Sequence, residues 1–264
     1  MAIITFTSDF GLKDAYVAVV KASILNVFPE ANIVDISHDI LTSNIADGAF
    51  VLSSAFHHFP KGSVHLVAVD SYGQSGSKQI VVSQNGHYFI STDNGLLSLI
   101  SPNEPIDAII SLSDDNTFST FPAKDILAPA AAKLAKGESI NALGSNFPEM
   151  KTFLERRFKA TKKEISGHVI KIDNFGNLIT NIRKVDFDIL SKEKEYTIGF
   201  GRYRANKIQL LPNEVEGGDY YVLFNYQGLL EIGIRHGNAA ELFGLQFDSS
   251  VWIKFEGKGE SSEI

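Results

Sequence analysis

The sequence predicts an α/β protein in two parts: an N-terminal α/β domain built on a central, mostly parallel sheet, and a C-terminal antiparallel β-barrel domain. Three observations predict it. The first half alternates short apolar runs with segments of helical period, the signature of a parallel sheet covered on both faces. From Glu164 onward short strand-like runs follow one another with only turn residues between them, as in a small barrel or sandwich. Between the halves, residues 147–163 are charged and weakly periodic, which puts the boundary there and the domains at 1–158 and 164–264.

Taken in order, Ile3 to Thr7 is an apolar strand, and Ala15 to Phe28 repeats apolar residues at helical spacing until Pro29 stops it. Asn32 to Ile36 reads as strand, Ile45 to Phe59 as helix and Ser63 to Val69 as strand. Gln79 to Ser83 and His87 to Ser91 form a hairpin across Gln84-Asn85-Gly86, whose Asn-Gly pair suits a tight turn. Leu96 to Ile100 is a short helix, Ala108 to Leu112 a strand and Asp125 to Lys136 an alanine-rich helix. The barrel strands are His168 to Ile172, Leu178 to Ile182, Tyr196 to Phe200, Lys207 to Leu211, Tyr220 to Phe224, Leu229 to Gly233 and Val251 to Phe255.

The 264 residues are 44% apolar and 21% charged, enough for a sizeable core. A net charge of −7 argues against coating nucleic acid or an anionic membrane, both of which reward a basic face. It suits a small cationic ligand. Without cysteine there is no disulfide, thiolate metal site or thiol nucleophile. The N-terminus enters a strand with no basic leader, and no apolar run reaches the roughly 20 residues that span a bilayer, so a cytoplasmic protein is expected. No metal is expected either. Asp35, His38 and Asp39 suit a turn, and His57 and His58, being adjacent, diverge on a helix.

Ligands of α/β sheets bind at the carboxyl ends of strands, which singles out the polar loops there. Ser8-Asp9-Phe10-Gly11-Leu12-Lys13-Asp14 offers carboxylates whose paired oxygens could take the two hydroxyls of a ribose, although Asp14 also fits a helix N-cap. Asp70 to Lys78 is rich in Gly and Ser and could cradle a ligand or be a plain surface loop. Asp173-Asn174-Phe175-Gly176-Asn177 places an aromatic between amides, a stacking platform with a hydrogen-bonding edge that is also a good β-turn. Asn225 to Ala240 reads as turn, strand and Gly-bearing loop into a helix, and by itself is an ordinary hairpin.

Together these segments resemble the S-adenosylmethionine hydroxide adenosyltransferase family, which also contains the bacterial fluorinase and chlorinase. The resemblance runs from about Ile3 to Phe255 and rests on seven stretches in order: Ser8-Asp9-Phe10-Gly11 with Asp14-Ala15-Tyr16-Val17; Asp35-Ile36-Ser37-His38; Val69-Asp70; Asp93-Asn94-Gly95-Leu96-Leu97; Asp125-Ile126-Leu127-Ala128-Pro129; Asp173 to Asn177; and Asn225 to Leu230. It implies a seven-stranded N-terminal sheet, a C-terminal barrel, and a homotrimer that holds its small-molecule nucleoside ligand between subunits. The implied reaction is attack on C5′ of S-adenosylmethionine by water or hydroxide, giving adenosine and L-methionine. No cofactor or metal is implied, because the sulfonium already activates the carbon.

By the same resemblance Asp9 clamps the ribose hydroxyls, and Asp14 and Asp173 hold the methionine ammonium. Phe175 packs on adenosine and Asn177 meets the adenine edge. Tyr16, Phe121 and Tyr226 join the ligand-binding set, and the backbone around Arg235 and His236 lies by the adenine. Asp70 is the acidic member of a water-activating trio. The other two members, an Arg seven residues after that Asp and a His directly after the Phe, are replaced here by Ser77 and Pro122. Lys78 is left to supply positive charge, without the planar fork of Arg. Three activities stay open on these residues: hydrolysis, fast or slow; binding of S-adenosylmethionine or adenosine without efficient turnover; and halide-dependent transfer. Asp70 opposes the last, since a carboxylate repels an anion.

Overall fold

The computed structural model describes residues 2–112, 119–154 and 157–257. The chain divides into two compact units, residues 1–155 and 156–264.

In the first unit the elements are β1 (Ile3–Ser8), α1 (Tyr16–Val27), β2 (Asn32–Ser37), α2 (Ile45–Ala55), β3 (Val64–Ala68), β4 (Gln79–Gln84), β5 (His87–Thr92), α3 (Leu97–Ile100), β6 (Ile106–Ser111), α4 (Ala128–Lys136) and β7 (Ser145–Asn146). The sheet order is β2-β1-β3-β5-β4-β6-β7. β2, β1, β3 and β5 pair in parallel, whereas the β5–β4, β4–β6 and β6–β7 pairs are antiparallel. The sheet is therefore mixed, with five strands running one way and β4 and β7 against them.

Side-chain alternation builds two cores, one on each face. Ile4, Phe6, Leu66, Val81 and Ile90 face α1 and α4, while Val67, Ile80, Val82 and Phe89 face α2 and α3. Each fully buried Leu, Ile or Phe contributes about 2 kcal/mol of transfer free energy. The alanine run of α4 keeps that helix close to α1, and Gly137 ends it at φ 107°, in the left-handed region. The expected helix from Ile45 reaches Ala55 and tightens into a 3₁₀ turn over Phe56–His58. The helix expected from Asp125 begins at Ala128, after one wide turn over Ala123–Leu127 in which the Ala128 N–H donates to Ala123 O. Asn85 and Gly86, at φ 53° and 76°, close the β4–β5 hairpin in two residues.

The second unit contains β8 (Lys159–Ala160), β9 (Glu164–Ile172), β10 (Leu178–Arg183), α5 (Lys184–Leu190), β11 (Lys194–Phe200), β12 (Tyr203–Ala205), β13 (Tyr220–Phe224), β14 (Leu229–Ile234), α6 (Ala239–Phe243) and β15 (Ser250–Gly257). They form one antiparallel sheet in the order β12-β11-β15-β9-β10-β14-β13, with β8 on β9. The sheet curls around Ile165, Val169, Leu178, Ile198, Phe200, Val222, Ile232 and Ile253. Its edges β12 and β13 are bridged rather than paired. The Tyr220 hydroxyl donates to Arg204 O (2.7 Å), the Gln209 N–H donates to Val222 O (2.8 Å), and the Gln209 side chain accepts from Val222 N (2.9 Å).

The strand expected at Lys207 to Leu211 is absent. Gln209 makes one backbone bond to Val222 but takes the Val222 N–H on its side chain, where a strand would use a second backbone bond, and Pro212 opens a 3₁₀ turn right after Leu211. The pairing strand is β12, four residues earlier in the chain. The sequence reading also missed α5, whose one buried residue is Phe187.

Candidate functional site

The parallel strands of the first unit end together, and their loops meet at Asp9. One oxygen of Asp9, Oδ2, accepts the Ser43 N–H (2.9 Å) and the Asp70 N–H (3.1 Å), so the loops after β1, β2 and β3 converge on a single carboxylate. Asp70 itself stands at φ 46°, in the left-handed region that non-glycine residues avoid, a common mark of a functional turn.

Buried Asn94 holds this loop. Its Nδ2 donates to Val69 O (2.8 Å) and Asp70 O (3.2 Å), and its Oδ1 accepts from Leu96 N (3.1 Å). Next to it the Asp93 N–H donates to Lys78 O (2.7 Å). Asp70 and Lys78, the two residues expected to activate water, are thus pinned to consecutive residues of one segment. Ser77 is taken up locally: its hydroxyl accepts the Gln74 N–H (3.0 Å) and its own N–H returns to Gln74 O (2.9 Å). Gly73 permits this fold. At φ 61°, a Cβ there would lie 2.7 Å from Ser77 Oγ and 2.9 Å from Thr92 Cγ2.

Tyr16 and Phe121, expected among the ligand contacts, come together with Phe10 in an aromatic triangle whose ring centroids are 5.6 to 5.9 Å apart. Tyr16 is 52% exposed, so the triangle presents an aromatic shelf next to Asp9. The sequence reading missed Phe10 as a ligand candidate, although it sits inside the Ser8 to Gly11 stretch. It also missed Tyr72, whose hydroxyl donates to Thr120 O and ties the Asp70 loop to Phe121. Pro122 caps the wide turn, where its missing N–H costs nothing. Lys124 and Ser119 both bond Asp125 and hold its carboxyl below the usual range. Asp14 is not the N-cap that its position suggests. Ala15 takes that place without a side-chain bond, and Asp14 is exposed in front of α1.

In the second unit Asp173 organises its own turn. Oδ1 accepts from Phe175 N and Asn177 N, both at 2.9 Å, and Oδ2 accepts from Asn177 Nδ2 (3.0 Å). Phe175 is thrust outward at the apex, 74% exposed, as a stacking platform requires. Asn177 is 8% exposed, and its amide is locked because Oδ1 accepts the Tyr221 hydroxyl (3.2 Å). Tyr221 lies 3.5 Å from Glu231 Oε1, and Glu231 Oε2 accepts from Asn225 Nδ2 (3.2 Å). Burial, with Glu231 and Asp173 nearby, pushes the Tyr221 hydroxyl up to about 12. Burial also raises the Glu231 carboxyl.

The turn packs on the loop that starts α6. Gly176 O accepts from Ala240 N (2.9 Å), and a Cβ on Gly176 would lie 2.1 Å from Asn238 Oδ1. This brings Phe175 and Asn177 to the same end of the barrel as Arg235 and His236. The Arg235 guanidinium donates to Val215 O (2.7 Å), and exposed His236 turns the chain at φ 61°. Tyr226 does not join them. It tips the β13–β14 hairpin at the opposite end of β14, beside Gly228, whose carbonyl accepts from Lys184 N (2.7 Å). Chain proximity to Leu229 and Leu230 says nothing about which end of a strand a residue occupies.

The chain is similar to known proteins along most of its length. Residues 4–144 match the model of the SAM hydroxide adenosyltransferase N-terminal domain and residues 167–252 that of its C-terminal domain. A (R)-S-adenosyl-L-methionine hydrolase from Methanocaldococcus jannaschii is 33% identical, with 95% of each chain covered. Another, from Thermus thermophilus, is 30% identical over 91% of this chain and 95% of its own. A fluorinase from Nocardia brasiliensis is 25% identical, with 96% of each covered. The crystal structure of an uncharacterized conserved protein from Thermotoga maritima superposes with a TM-score of 0.86 at 29% identity, covering 96% of this chain and all of that one. The chain belongs to the SAM hydroxide adenosyltransferase family.

Proposed function

We propose that the protein hydrolyses S-adenosylmethionine to adenosine and L-methionine. The observation that carries this reading is the Asp9 carboxylate, fixed by the Ser43 and Asp70 amides at the mouth of three parallel strands, in a chain similar to named hydrolases along almost its whole length. Asp9 would accept the ribose hydroxyls through its remaining lone pairs. The aromatic shelf, Phe175 and Asn177 would hold the adenosyl group, and exposed Asp14 would meet the methionine ammonium.

In the reaction a water oxygen bonds C5′ as the C5′–S bond breaks. The bonding pair goes to sulfur, which leaves as the neutral thioether of methionine, and the water gives up a proton. Asp70 accepts that proton and Lys78 offsets the negative charge developing on the attacking oxygen, while the fixed loops hold the water in line. A homotrimer, in which the first unit of one subunit and the second unit of its neighbour share a ligand, belongs to the same reading, as does a cytoplasmic setting.

The test is incubation with each sulfonium epimer of S-adenosylmethionine followed by chromatography. Adenosine and methionine should appear in equal amounts, and replacement of Asp70 by Asn should slow their release about 100-fold or more. A second reading, binding without turnover, is favoured by one observation: Ser77 is consumed in its own turn and Pro122 starts a helical turn, so neither offers the cation or imidazole of the water-activating trio. Ligand binding with no adenosine above a protein-free control establishes that reading instead.

A further inference from the structure

The stretch Asp35-Ile36-Ser37-His38 ends β2, and neither the ligand loops nor the core accounts for its polar residues. His38 is 4% exposed. Its Nδ1 lies 2.7 Å from the Ser8 hydroxyl and its Nε2 lies 3.1 Å from Asp35 Oδ1, an electrostatic contact outside hydrogen-bond geometry. The other oxygen of Asp35 accepts from Lys21 Nζ (2.6 Å). The Ser8 hydroxyl is 3.5 Å from Phe10 N, and the carbonyl of His38 accepts the Gly11 N–H (2.8 Å). The ring of His38 also packs edge-on against Phe6 at 4.7 Å.

One proton assignment fits the Ser8 hydrogen bond and the charge of Asp35 together. Asp35, ionised beside Lys21, favours the proton of His38 on Nε2. Nδ1 is then an acceptor and takes the Ser8 O–H, and a lone pair of Ser8 faces the Phe10 N–H. The order Ser-His-Asp is that of an acyl-transfer triad, but Ser8 is 0% exposed and its hydroxyl points inward to His38, so no external carbonyl can reach it. What the chain of contacts does touch is the turn 8–11, held on one side through Ser8 and on the other through the Gly11 amide.

We propose that Ser8, His38 and Asp35 are positioning residues, a buried clamp that sets the aim of Asp9 toward the ribose diol and of Phe10 within the aromatic shelf. The clamp rests on the reading of Asp9 as the ribose-binding carboxylate. Its reason is geometric: Asp9 meets two amides with one oxygen, and a shift of about 1 Å in the turn forfeits both.

Two readouts test it. The first is affinity for adenosine and KM for S-adenosylmethionine. Ser8→Ala and His38→Leu should each weaken both roughly tenfold, the size of one buried hydrogen bond, with kcat changed less. His38→Asn, whose amide oxygen can still accept from Ser8, should recover most of the loss. Asp35→Asn, at the half-exposed edge, should fall in between and keeps the test open if a core variant does not fold. The second readout is amide hydrogen exchange, which does not depend on ligand. Phe10 and Gly11 should exchange about tenfold faster in Ser8→Ala and Asp35→Asn, while Ile4 and Leu66 stay protected.

Unchanged affinity together with unchanged exchange at Phe10 and Gly11 overturns the clamp. A loss of kcat by more than 1000-fold with KM and exchange unchanged also overturns it, and makes Ser8 or His38 a catalytic residue. Absence of any ligand binding by the wild-type chain sinks the ribose reading instead, and the exchange rates then decide the clamp alone.

Discussion

Asp9 joins three loops through its Oδ2, and in the proposed reading the same side chain also meets the ribose. Asp9→Asn should therefore cost about 1–2 kcal/mol of stability, read by thermal unfolding, because an amide oxygen can keep only part of a charge-assisted pair. Adenosine affinity should drop more than tenfold by calorimetry; equal affinity would place the ribose elsewhere. His65 makes a separate prediction far from this loop. It is wholly buried, between Thr5 Oγ1 (2.7 Å) and His87 Nδ1 (3.1 Å), and burial, reinforced by His87 and His57, lowers its pKa to about 3. A folded-state pKa below the unfolded 6.5 means that the unfolded chain binds the proton first. Stability from this residue is therefore complete above about pH 6.5 and is lost as pH falls toward 3, by about 2–3 kcal/mol at pH 4.5. Urea titrations at pH 7 and 4.5 should show that loss, and His65→Gln should flatten it.

Among the elements, the 173–177 turn depends on Gly176 having no side chain. Its φ of 82° and the 2.1 Å approach to Asn238 Oδ1 leave no room for Cβ. Gly176→Ala should lower stability by about 1–3 kcal/mol and weaken adenosine binding together, measured by denaturation and calorimetry. The regular elements were legible because alternation and helical period follow directly from burial on a sheet face or helix stripe. The loops at Asp9 and Asn177 were legible as polar residues at element ends. Where the reading went astray, tertiary contacts decide. Lys207 to Leu211 has strand composition, but only one backbone bond joins Gln209 to Val222, whose N–H goes to the Gln209 side chain. Asp14 was open to two roles, and the structure removes only that of the N-cap, which falls to Ala15. Tyr226 is near Arg235 and His236 in sequence and a strand's length from Asn177 in the fold. Tyr221 and Glu231, which lock Asn177, look from sequence like ordinary strand residues.

For the molecule as a whole, the proposed reading predicts three chains that share their ligands. Light scattering should give three times the chain mass at micromolar concentration, and a monomer that still turns over S-adenosylmethionine would remove the need for a shared ligand. The five co-directed strands gather Asp9, Asp70 and the aromatic shelf on one edge of the first unit's sheet, which leaves the two-residue hairpin at Asn85 and Gly86 on the opposite edge. That geography has a practical use. An affinity tag or fluorophore spliced in there, or new chain termini opened there, would leave the loops at Asp9 and Asp70 untouched. The first unit could then be fastened to a surface through the end of its sheet that lies away from Asp9.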